Sequence, residues 1–181
     1  MKFLLVLLSV WLQLWGQSLE ELRINDYRMF MSQLLPLNKT VQIEKVNNYF
    51  NGIVNELDIL NWEKEDYWAT PNEFVTRGKG DCEDFVIAKY FSLKELGIEP
   101  KNMMLIIVKV DGMKELHAVL GVKNGSSEIL ILDNLSWKIL PLSKRTDLKI
   151  VRWVNETYLD KSDKPEVKLF TQVIKKMQQG L

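Results

Sequence analysis

Apolar residues recur at helical spacing along much of the first half of the chain. Between residues 39 and 60 they lie three or four positions apart, which predicts one amphipathic helix. Another helix is predicted to begin at Thr70, because a threonine cap is followed by proline at the first helical position and by Glu73 three residues after the cap. Residues 85–96 leave few polar positions, so this run predicts a central, buried helix that ends at Gly97.

A set of strands is predicted after the buried helix. Residues 103–110, 116–122 and 128–133 are mostly apolar, and short segments that contain glycine separate them, which predicts antiparallel hairpins. Residues 149–154 are a further candidate strand, and a last helix is predicted to begin at Pro165. Helices followed by such a meander predict an α+β domain in which one helix packs on an antiparallel sheet.

Residues 1–17 have the pattern of an export signal. Lys2 precedes an apolar run of about a dozen residues, which is too short for a spanning helix of about 20. The pattern predicts a secretory signal peptide, with an uncleaved membrane anchor as the alternative, and in both cases the body of the protein is exported. Residues 18–181 are long enough for one domain with a substantial core and too short for two.

Charge and cysteine content narrow the possible functions. The chain has 24 basic and 24 acidic residues, so it lacks the excess of basic residues that a nucleic-acid-binding surface requires. Removal of the predicted signal also removes the positive charge of Lys2, which leaves 23 basic and 24 acidic residues and a net charge of −1. The single cysteine, Cys82, cannot form an internal disulfide. In an exported protein such a cysteine is either a reactive thiol or a small buried hydrophobe.

Cys82 lies where a glycine-containing turn meets the start of the predicted buried helix. The sequence of residues 78–85 is Gly-Lys-Gly-Asp-Cys-Glu-Asp-Phe. A helix N-terminus favours a thiolate, because its unpaired N–H groups and its dipole stabilise negative charge. The carboxylates of Asp81, Glu83 and Asp84 oppose that ionisation. Because the helix N-terminus favours ionisation of this thiol and the carboxylates oppose it, we predict that Cys82 lies in a catalytic site.

The only histidine, His117, lies on the second predicted strand, and Asp133 ends the third. Neighbouring strands are about 4.8 Å apart, so the two side chains can be neighbours if the hairpin register permits. The chain order Cys82, His117, Asp133 suits a nucleophile, a base that takes its proton and an acid that fixes the tautomer of the base. Taken singly, a strand histidine and an aspartate before a turn are equally consistent with structural roles.

The motifs around these residues resemble a known family. Residues 66–74 (Asp-Tyr-Trp-Ala-Thr-Pro-Asn-Glu-Phe), 80–84 (Gly-Asp-Cys-Glu-Asp), 116–120 (Leu-His-Ala-Val-Leu) and 132–134 (Leu-Asp-Asn) are similar to those of the bacterial transglutaminase-like cysteine proteinases, in particular the LapG-type periplasmic proteases. The resemblance implies a papain-like or transglutaminase-like fold. It also implies that Cys82 is the nucleophile, His117 the general base and Asp133 the residue that orients the base.

The resemblance further implies a substrate, a cofactor and a regulator. Such proteases cut the N-terminal region of a very large surface adhesin, which releases cells from a biofilm. They act with bound calcium, and an inner-membrane receptor that responds to cyclic di-GMP holds them inactive. In this chain the resemblance places calcium on the acids that flank the cysteine, which are Asp81, Glu83 and Asp84.

A bound cation would also resolve the electrostatic conflict at Cys82. A carboxylate about 6 Å from a thiolate opposes its ionisation by roughly 2.8 kcal/mol, or about two pKa units, at an effective dielectric constant of about 20. A helix N-terminus stabilises the thiolate by at most about 2 kcal/mol, so it cannot offset several carboxylates, whereas a divalent cation can. The alternative is that Asp81 only caps the helix and that Glu83 and Asp84 are ordinary first-turn residues.

Three functions remain open on the sequence. A cysteine endopeptidase would form a thioester and hydrolyse it, whereas a transglutaminase-like acyltransferase would use the same residues and pass the acyl group to an amine. A non-catalytic calcium-dependent binding module would keep the three residues for structure alone. Acyl transfer needs an oxyanion hole, for which the backbone N–H of Cys82 and a donor from the segment around Trp68 are candidates.

Overall fold

The computed structural model describes residues 18–123, 125, 128–159 and 163–179, and the predicted export signal lies outside them. Within these residues the helices are α1 (Leu19–Leu34), α2 (Lys39–Asn51), α3 (Asp58–Asn61), α4 (Pro71–Arg77), α5 (Cys82–Glu95) and α6 (Pro165–Gln178). The strands are β1 (Val54–Asn55), β2 (Lys79–Gly80), β3 (Met103–Val110), β4 (Leu116–Val122), β5 (Leu130–Asp133), β6 (Ser136–Pro141) and β7 (Leu148–Val154).

Five strands form one antiparallel sheet in the order β6-β5-β4-β3-β7. Strands β3 to β6 pair with their neighbours in sequence, and β7 returns to pair with the other side of β3. In this register Val108 lies opposite His117, and Leu120 lies opposite Leu132. The predicted antiparallel meander is confirmed, and it brings the ends of the strands that carry His117 and Asp133 together.

Helix α5 packs against strands β3, β4 and β5 at the centre of the fold. Every residue of this helix from Asp84 to Leu93 is buried, as its apolar sequence predicts. Helices α2 and α4 pack against α5, and α1 packs against α4. The α+β architecture with a central helix on an antiparallel sheet is therefore confirmed.

The prediction of one helix over residues 39–60 is wrong beyond Asn51. Asn51 is the last residue of helix α2, and Gly52 is its C-cap. The chain then continues as strand β1 and as the short helix α3. The apolar residues of the first part, such as Phe50, are buried, whereas Val54 and Leu57 are 61% and 60% exposed. The helical spacing therefore continued by chance past the end of the buried stripe.

Helix α1 and strand β6 were not predicted from the sequence. Only Tyr27, Met31 and Leu34 of α1 are buried, so its apolar stripe is too narrow to be recognised. Strand β6 is an edge of the sheet and carries an exposed tryptophan, Trp137, so no alternation of buried and exposed positions marks it.

Several local predictions are confirmed. Thr70 accepts a hydrogen bond from the backbone N–H of Glu73 (3.3 Å), and the Glu73 carboxylate accepts one from the backbone N–H of Thr70 (2.7 Å), so α4 begins with a complete capping box. Helix α6 begins at Pro165 as predicted. Along the described residues, no helix combines the length and the apolar character that crossing a bilayer requires.

Candidate active site

Two glycines shape the turn that leads into helix α5. Gly78 ends α4 in the left-handed conformation with φ of 68°, which other residues adopt only at a cost. Gly80 lies directly against the Asp84 carboxylate and the Phe74 ring, so a side chain at position 80 would clash with both. The glycines of the Gly-Lys-Gly-Asp-Cys sequence thereby place Cys82 as the first residue of α5.

The thiol of Cys82 lies in a partly buried, acidic environment. Its Sγ donates a hydrogen bond to Glu83 Oε2 over 3.1 Å. Burial, followed by the charge and hydrogen bond of Glu83, raises the pKa of the thiol, and a hydrogen bond from the backbone N–H of Ala118 acts in the opposite direction. The conflict expected from the sequence is therefore present, and desolvation adds to it.

His117 and Asp133 form a buried pair. His117 Nε2 lies 2.8 Å from Asp133 Oδ1, and both residues are buried, 3% and 1% exposed. Because an ionised carboxylate can only accept, Nε2 carries the proton in this pair and Nδ1 is the ring nitrogen that remains for other chemistry. The hairpin register thus brings together the two strand residues that the sequence predicted to be neighbours.

Asp133 is held at both its side chain and its backbone. Its Oδ1 also accepts the Leu135 N–H (2.9 Å), and its Oδ2 accepts Arg145 Nη2 (2.9 Å). Asn51 Nδ2 donates to the Asp133 carbonyl (2.9 Å), and the fully buried Lys89 donates to Asn51 Oδ1 (2.6 Å). Sequence reasoning missed Arg145, Asn51 and Lys89, because none of them lies in a motif with the residue it supports.

These contacts keep Asp133 ionised. Burial alone would raise its pKa, but the hydrogen bond and charge of His117, together with the Leu135 N–H and Arg145, lower the pKa of Asp133 from 3.8 to about 2. A carboxyl whose pKa is lower in the folded state than in the unfolded state stabilises the fold above its unfolded pKa. That stabilisation is lost as the pH falls through the folded pKa.

We therefore expect an acid-sensitive contribution of Asp133 to stability. Between pH 5 and pH 3 the parent protein should lose about 1 kcal/mol of unfolding free energy more than Asp133→Asn, of about 2 kcal/mol in total over the whole titration. Urea unfolding of both proteins across this pH range measures the difference. Parallel pH dependences for the two proteins would contradict the lowered pKa of Asp133.

Cys82 and His117 line one cavity. The cavity has a volume of about 280 Å³ and opens between the start of α5, strand β4 and the loop before α4. Its other lining residues include the carboxylates Glu65, Asp66 and Glu166 and the apolar side chains Trp68 and Leu116. The nucleophile candidate and the base candidate, which are 35 positions apart in sequence, thus face the same space.

Three carboxylates converge beside Cys82. Oxygens of Asp58, Asp81 and Glu83 lie within 4.8 Å of one another, the spacing of ligands around one metal ion. Asp58 Oδ1 and Asp81 Oδ1 are buried and have no hydrogen-bond partner within the described residues. Burial and the neighbouring negative charges raise the pKa values of Asp81 and Glu83. Oxygen ligands, negative charge and unpartnered atoms together fit a hard divalent cation such as calcium.

The converging carboxylates include two of the three predicted calcium ligands, Asp81 and Glu83, and one residue that was not predicted, Asp58. Asp58 was missed, and it enters through the parallel pairing of Val54 with Lys79 and of Asn55 with Gly80, which brings the segments after β1 and β2 side by side. Asp84, the third predicted ligand, is not part of this group, and its Oδ1 accepts the Ala69 N–H over 2.8 Å. Its Oδ2 is buried and has no partner within the described residues, so a role for Asp84 in calcium binding stays a prediction.

Asp81 and Trp68 differ in detail from the expectations. Asp81 occupies the N-cap position of α5, but its side chain makes no capping hydrogen bond, so capping alone does not account for it. Trp68 lines the cavity, and its indole N–H donates to Asp66 Oδ1 over 2.9 Å. That N–H is therefore already used, and a second oxyanion donor from this segment stays a prediction.

Comparison with known proteins gives a consistent result. The family model of the bacterial transglutaminase-like cysteine proteinases matches residues 21–164. Legionella pneumophila LapG is 34% identical in sequence, with a TM-score of 0.77 over 92% of this chain and 93% of that chain. Two further LapG structures, described as calcium-bound and EGTA-treated, are each 36% identical, cover 80% of this chain and 81% and 78% of theirs, and have TM-scores of 0.70 and 0.69. No curated protein sequence matches the chain.

The family match spans most of the chain, and it includes the Gly-Asp-Cys-Glu-Asp segment and the strands that carry His117 and Asp133. The likeness to LapG covers almost the full length of both proteins at an identity well above that of a shared fold alone. The chain belongs to the bacterial transglutaminase-like cysteine proteinases.

Proposed function

We propose that this protein is a calcium-dependent cysteine endopeptidase that uses Cys82, His117 and Asp133 as a catalytic triad. The observation that carries the proposal is the shared cavity of Cys82 and His117, with His117 bonded to a buried, ionised Asp133. A nucleophile at a helix N-terminus, a base and an acid that orients the base are the parts that acyl transfer requires.

In the proposed mechanism His117 Nδ1 takes the proton of the Cys82 thiol, and the sulfur attacks the carbonyl carbon of the scissile peptide bond. The backbone N–H of Cys82, at the start of α5, stabilises the oxyanion of the tetrahedral intermediate. His117 then gives its proton to the leaving amine, which leaves a thioester on Cys82. Water, deprotonated by His117, hydrolyses the thioester, and the carboxylate product and the free thiol are released.

The role of Asp133 in this mechanism is to keep one tautomer of His117. Its carboxylate accepts a hydrogen bond from the Nε2–H group, so the ring proton stays on Nε2 and Nδ1 is free to take the thiol proton. The ionised carboxylate also stabilises the imidazolium that forms during the reaction. Because Asp133 is held at both carboxylate oxygens, it orients the ring without turning itself.

In the proposed site Asp58, Asp81 and Glu83 would hold the calcium ion. When bound, the ion would supply positive charge that offsets the three carboxylates beside the thiol. The unpartnered oxygens of Asp58 and Asp81 support this proposal, and so does the calcium-bound description of one LapG structure that this chain resembles. The chain's own carboxylates would otherwise repel one another in a partly buried place.

The proposed substrate and regulator follow from the resemblance of the sequence motifs to the LapG-type proteases. We propose that the protein acts in the periplasm on the N-terminal region of a large surface adhesin, and that an inner-membrane receptor for cyclic di-GMP sequesters it. Cleavage would release the adhesin and promote dispersal of a biofilm.

Incubation with the N-terminal region of such an adhesin, with and without calcium, tests the proposal. We expect two fragments that sum to the mass of the substrate plus one water, and only when calcium is present. Mass spectrometry of the products distinguishes the alternatives, because a cross-linked or amine-modified product indicates acyl transfer instead of hydrolysis. Failure of a thiol-directed probe to label Cys82, together with an intact substrate, would favour a non-catalytic binding module.

A further inference from the structure

Both carboxylate oxygens of Asp133 have hydrogen-bond partners, and the partners of the two oxygens differ in kind. Oδ1 faces His117 and the Leu135 N–H, whereas Oδ2 is bonded only to Arg145 Nη2 among the described residues. The side chain of Asp133 is fully buried, and that of Arg145 is 9% exposed. An ion pair in this setting has little water to compete with it, so removal of one partner has large consequences.

Arg145 is itself fixed by a second carboxylate. Its Nε donates to Asp147 Oδ1 over 2.9 Å, and its Nη2 donates to Asp147 Oδ2 over 2.8 Å. This two-point contact sets the plane of the guanidinium, because the donors of arginine have fixed relative directions. A continuous series of hydrogen bonds thus connects Asp147 at the surface, through Arg145 and Asp133, to His117.

This series of hydrogen bonds has a consequence for the orientation of the imidazole ring. A carboxylate that is held at one oxygen can still turn about its Cβ–Cγ bond, since this torsion has broad minima. An aspartate held at both oxygens cannot turn without breaking an ion pair. The hydrogen bond from Arg145 to Oδ2 therefore fixes the direction from which Oδ1 accepts the hydrogen bond of His117 Nε2–H.

We propose that Arg145, anchored by Asp147, is a positioning residue that holds Asp133 in the orientation that fixes the tautomer and ring direction of His117. The inference rests on the proposed function for its effect on turnover, but its structural content concerns His117 alone. Arg145 lies between β6 and β7, 28 positions after His117, so no sequence motif connects the two.

The single histidine of the chain makes a direct test possible. In a ¹⁵N-labelled full-length protein with calcium present, the ring nitrogens of His117 give the only histidine correlations. We expect the parent protein to show the tautomer protonated at Nε2, and Arg145→Met to show a mixture of both tautomers. With the adhesin fragment as substrate, kcat of Arg145→Met should fall roughly 10- to 100-fold while KM stays within about twofold, the range found for residues that orient a functional group.

Three further variants sharpen the test. Arg145→Lys should restore the tautomer only in part, because an ammonium cannot bond Asp133 and Asp147 with the geometry of a guanidinium. Asp147→Asn, at a side chain 42% exposed, should fold normally and shift the tautomer mixture in the same direction by a smaller amount. Lys149→Met removes a cation from an exposed pair with Asp111, so it serves as the matched control and should change neither readout.

The outcomes separate the two proposals. A parent-like tautomer and kcat in Arg145→Met overturn the positioning role, and so does a parent-like tautomer in Asp147→Asn if Arg145→Met fails to fold. A change in Lys149→Met equal to that in Arg145→Met also overturns it, because the effect would then be one of general charge. If the nuclear magnetic resonance results hold but neither the parent protein nor any variant cleaves the adhesin fragment, the positioning role stands and the proposed substrate is wrong.

Discussion

Replacement of Cys82 by alanine is expected to abolish proteolysis while the fold remains intact. Among the described residues that line the cavity with His117, Cys82 is the only one with a thiol or hydroxyl group, so its removal should lower kcat by on the order of 10³-fold or more. The side chain is partly buried, donates one weak hydrogen bond to Glu83 and accepts one from the backbone N–H of Ala118. We therefore expect the free energy of unfolding to change by less than about 1 kcal/mol. A cleavage assay and urea unfolding of the same preparation measure both quantities.

Cys82→Ser is the matched variant for this experiment. A hydroxyl keeps the size and the hydrogen-bonding capacity of the side chain, but its far higher pKa makes it a poor nucleophile in a site tuned for sulfur. Both variants should thus be inactive and both should fold. Proteolysis retained in Cys82→Ala would exclude the proposed mechanism, and activity retained in Cys82→Ser alone would show that the position matters for shape more than for thiol chemistry.

The parts of the fold that the sequence predicts are those in which local pattern and tertiary burial agree. The run of residues 85–96 is apolar around its circumference, and only a central helix buries such a surface. The capping box at Thr70 depends on contacts within four residues, so it is legible in the sequence. Strand β6 depends instead on pairing with β5 at a sheet edge, and no local signal records that pairing.

One error in the fold concealed one residue of the site. If residues 39–60 formed a single helix, as predicted, Asp58 and Ile43 would lie on that one helix, and Asp58 would be far from the start of α5. In the structure the chain breaks at Gly52, and β1 pairs in parallel with β2, so Asp58 and Asp81 follow two adjacent strands. Glu56 N–H donates to the Gly80 carbonyl over 2.8 Å, which extends this pairing toward the cluster. The position of Asp58 beside Asp81 could not be predicted, because a two-residue strand has no recognisable period.

The proximity of Cys82, His117 and Asp133, the proposed triad, could be predicted for a different reason. Cys82 and His117 are each the only residue of their type, so chain order and a strand-helix topology were enough to relate them. The groups that support Asp133 are common residue types, and three-dimensional proximity alone identifies them. Lys89 is an example: it is fully buried, and its bond to Asn51, 38 positions earlier, is visible only in three dimensions.

The carboxylate cluster has an electrostatic cost that a cation should relieve. Two carboxylates about 4.8 Å apart repel by about 3 kcal/mol at an effective dielectric constant of about 20. Asp58 also accepts the backbone N–H of Tyr67, so the same side chain joins the cluster to the loop that carries Trp68 into the cavity. Loss of the cation should therefore disturb both the charge beside Cys82 and the position of this loop.

Removal of calcium is expected to suppress cleavage reversibly, and Asp58→Asn is expected to weaken calcium binding by roughly tenfold or more, since affinity depends on the number of charged ligands. Asparagine keeps an oxygen for the Tyr67 N–H, so the loop should stay in place. Calorimetric titration with calcium alone measures the affinity, and cleavage in excess chelator with calcium added back measures the dependence. Glu65→Gln, a carboxylate of the same loop outside the cluster, is the control and should bind calcium like the parent protein. Full activity in excess chelator would show that calcium has no part in the mechanism. An unchanged calcium affinity in Asp58→Asn would show that Asp58 is not one of the ligands.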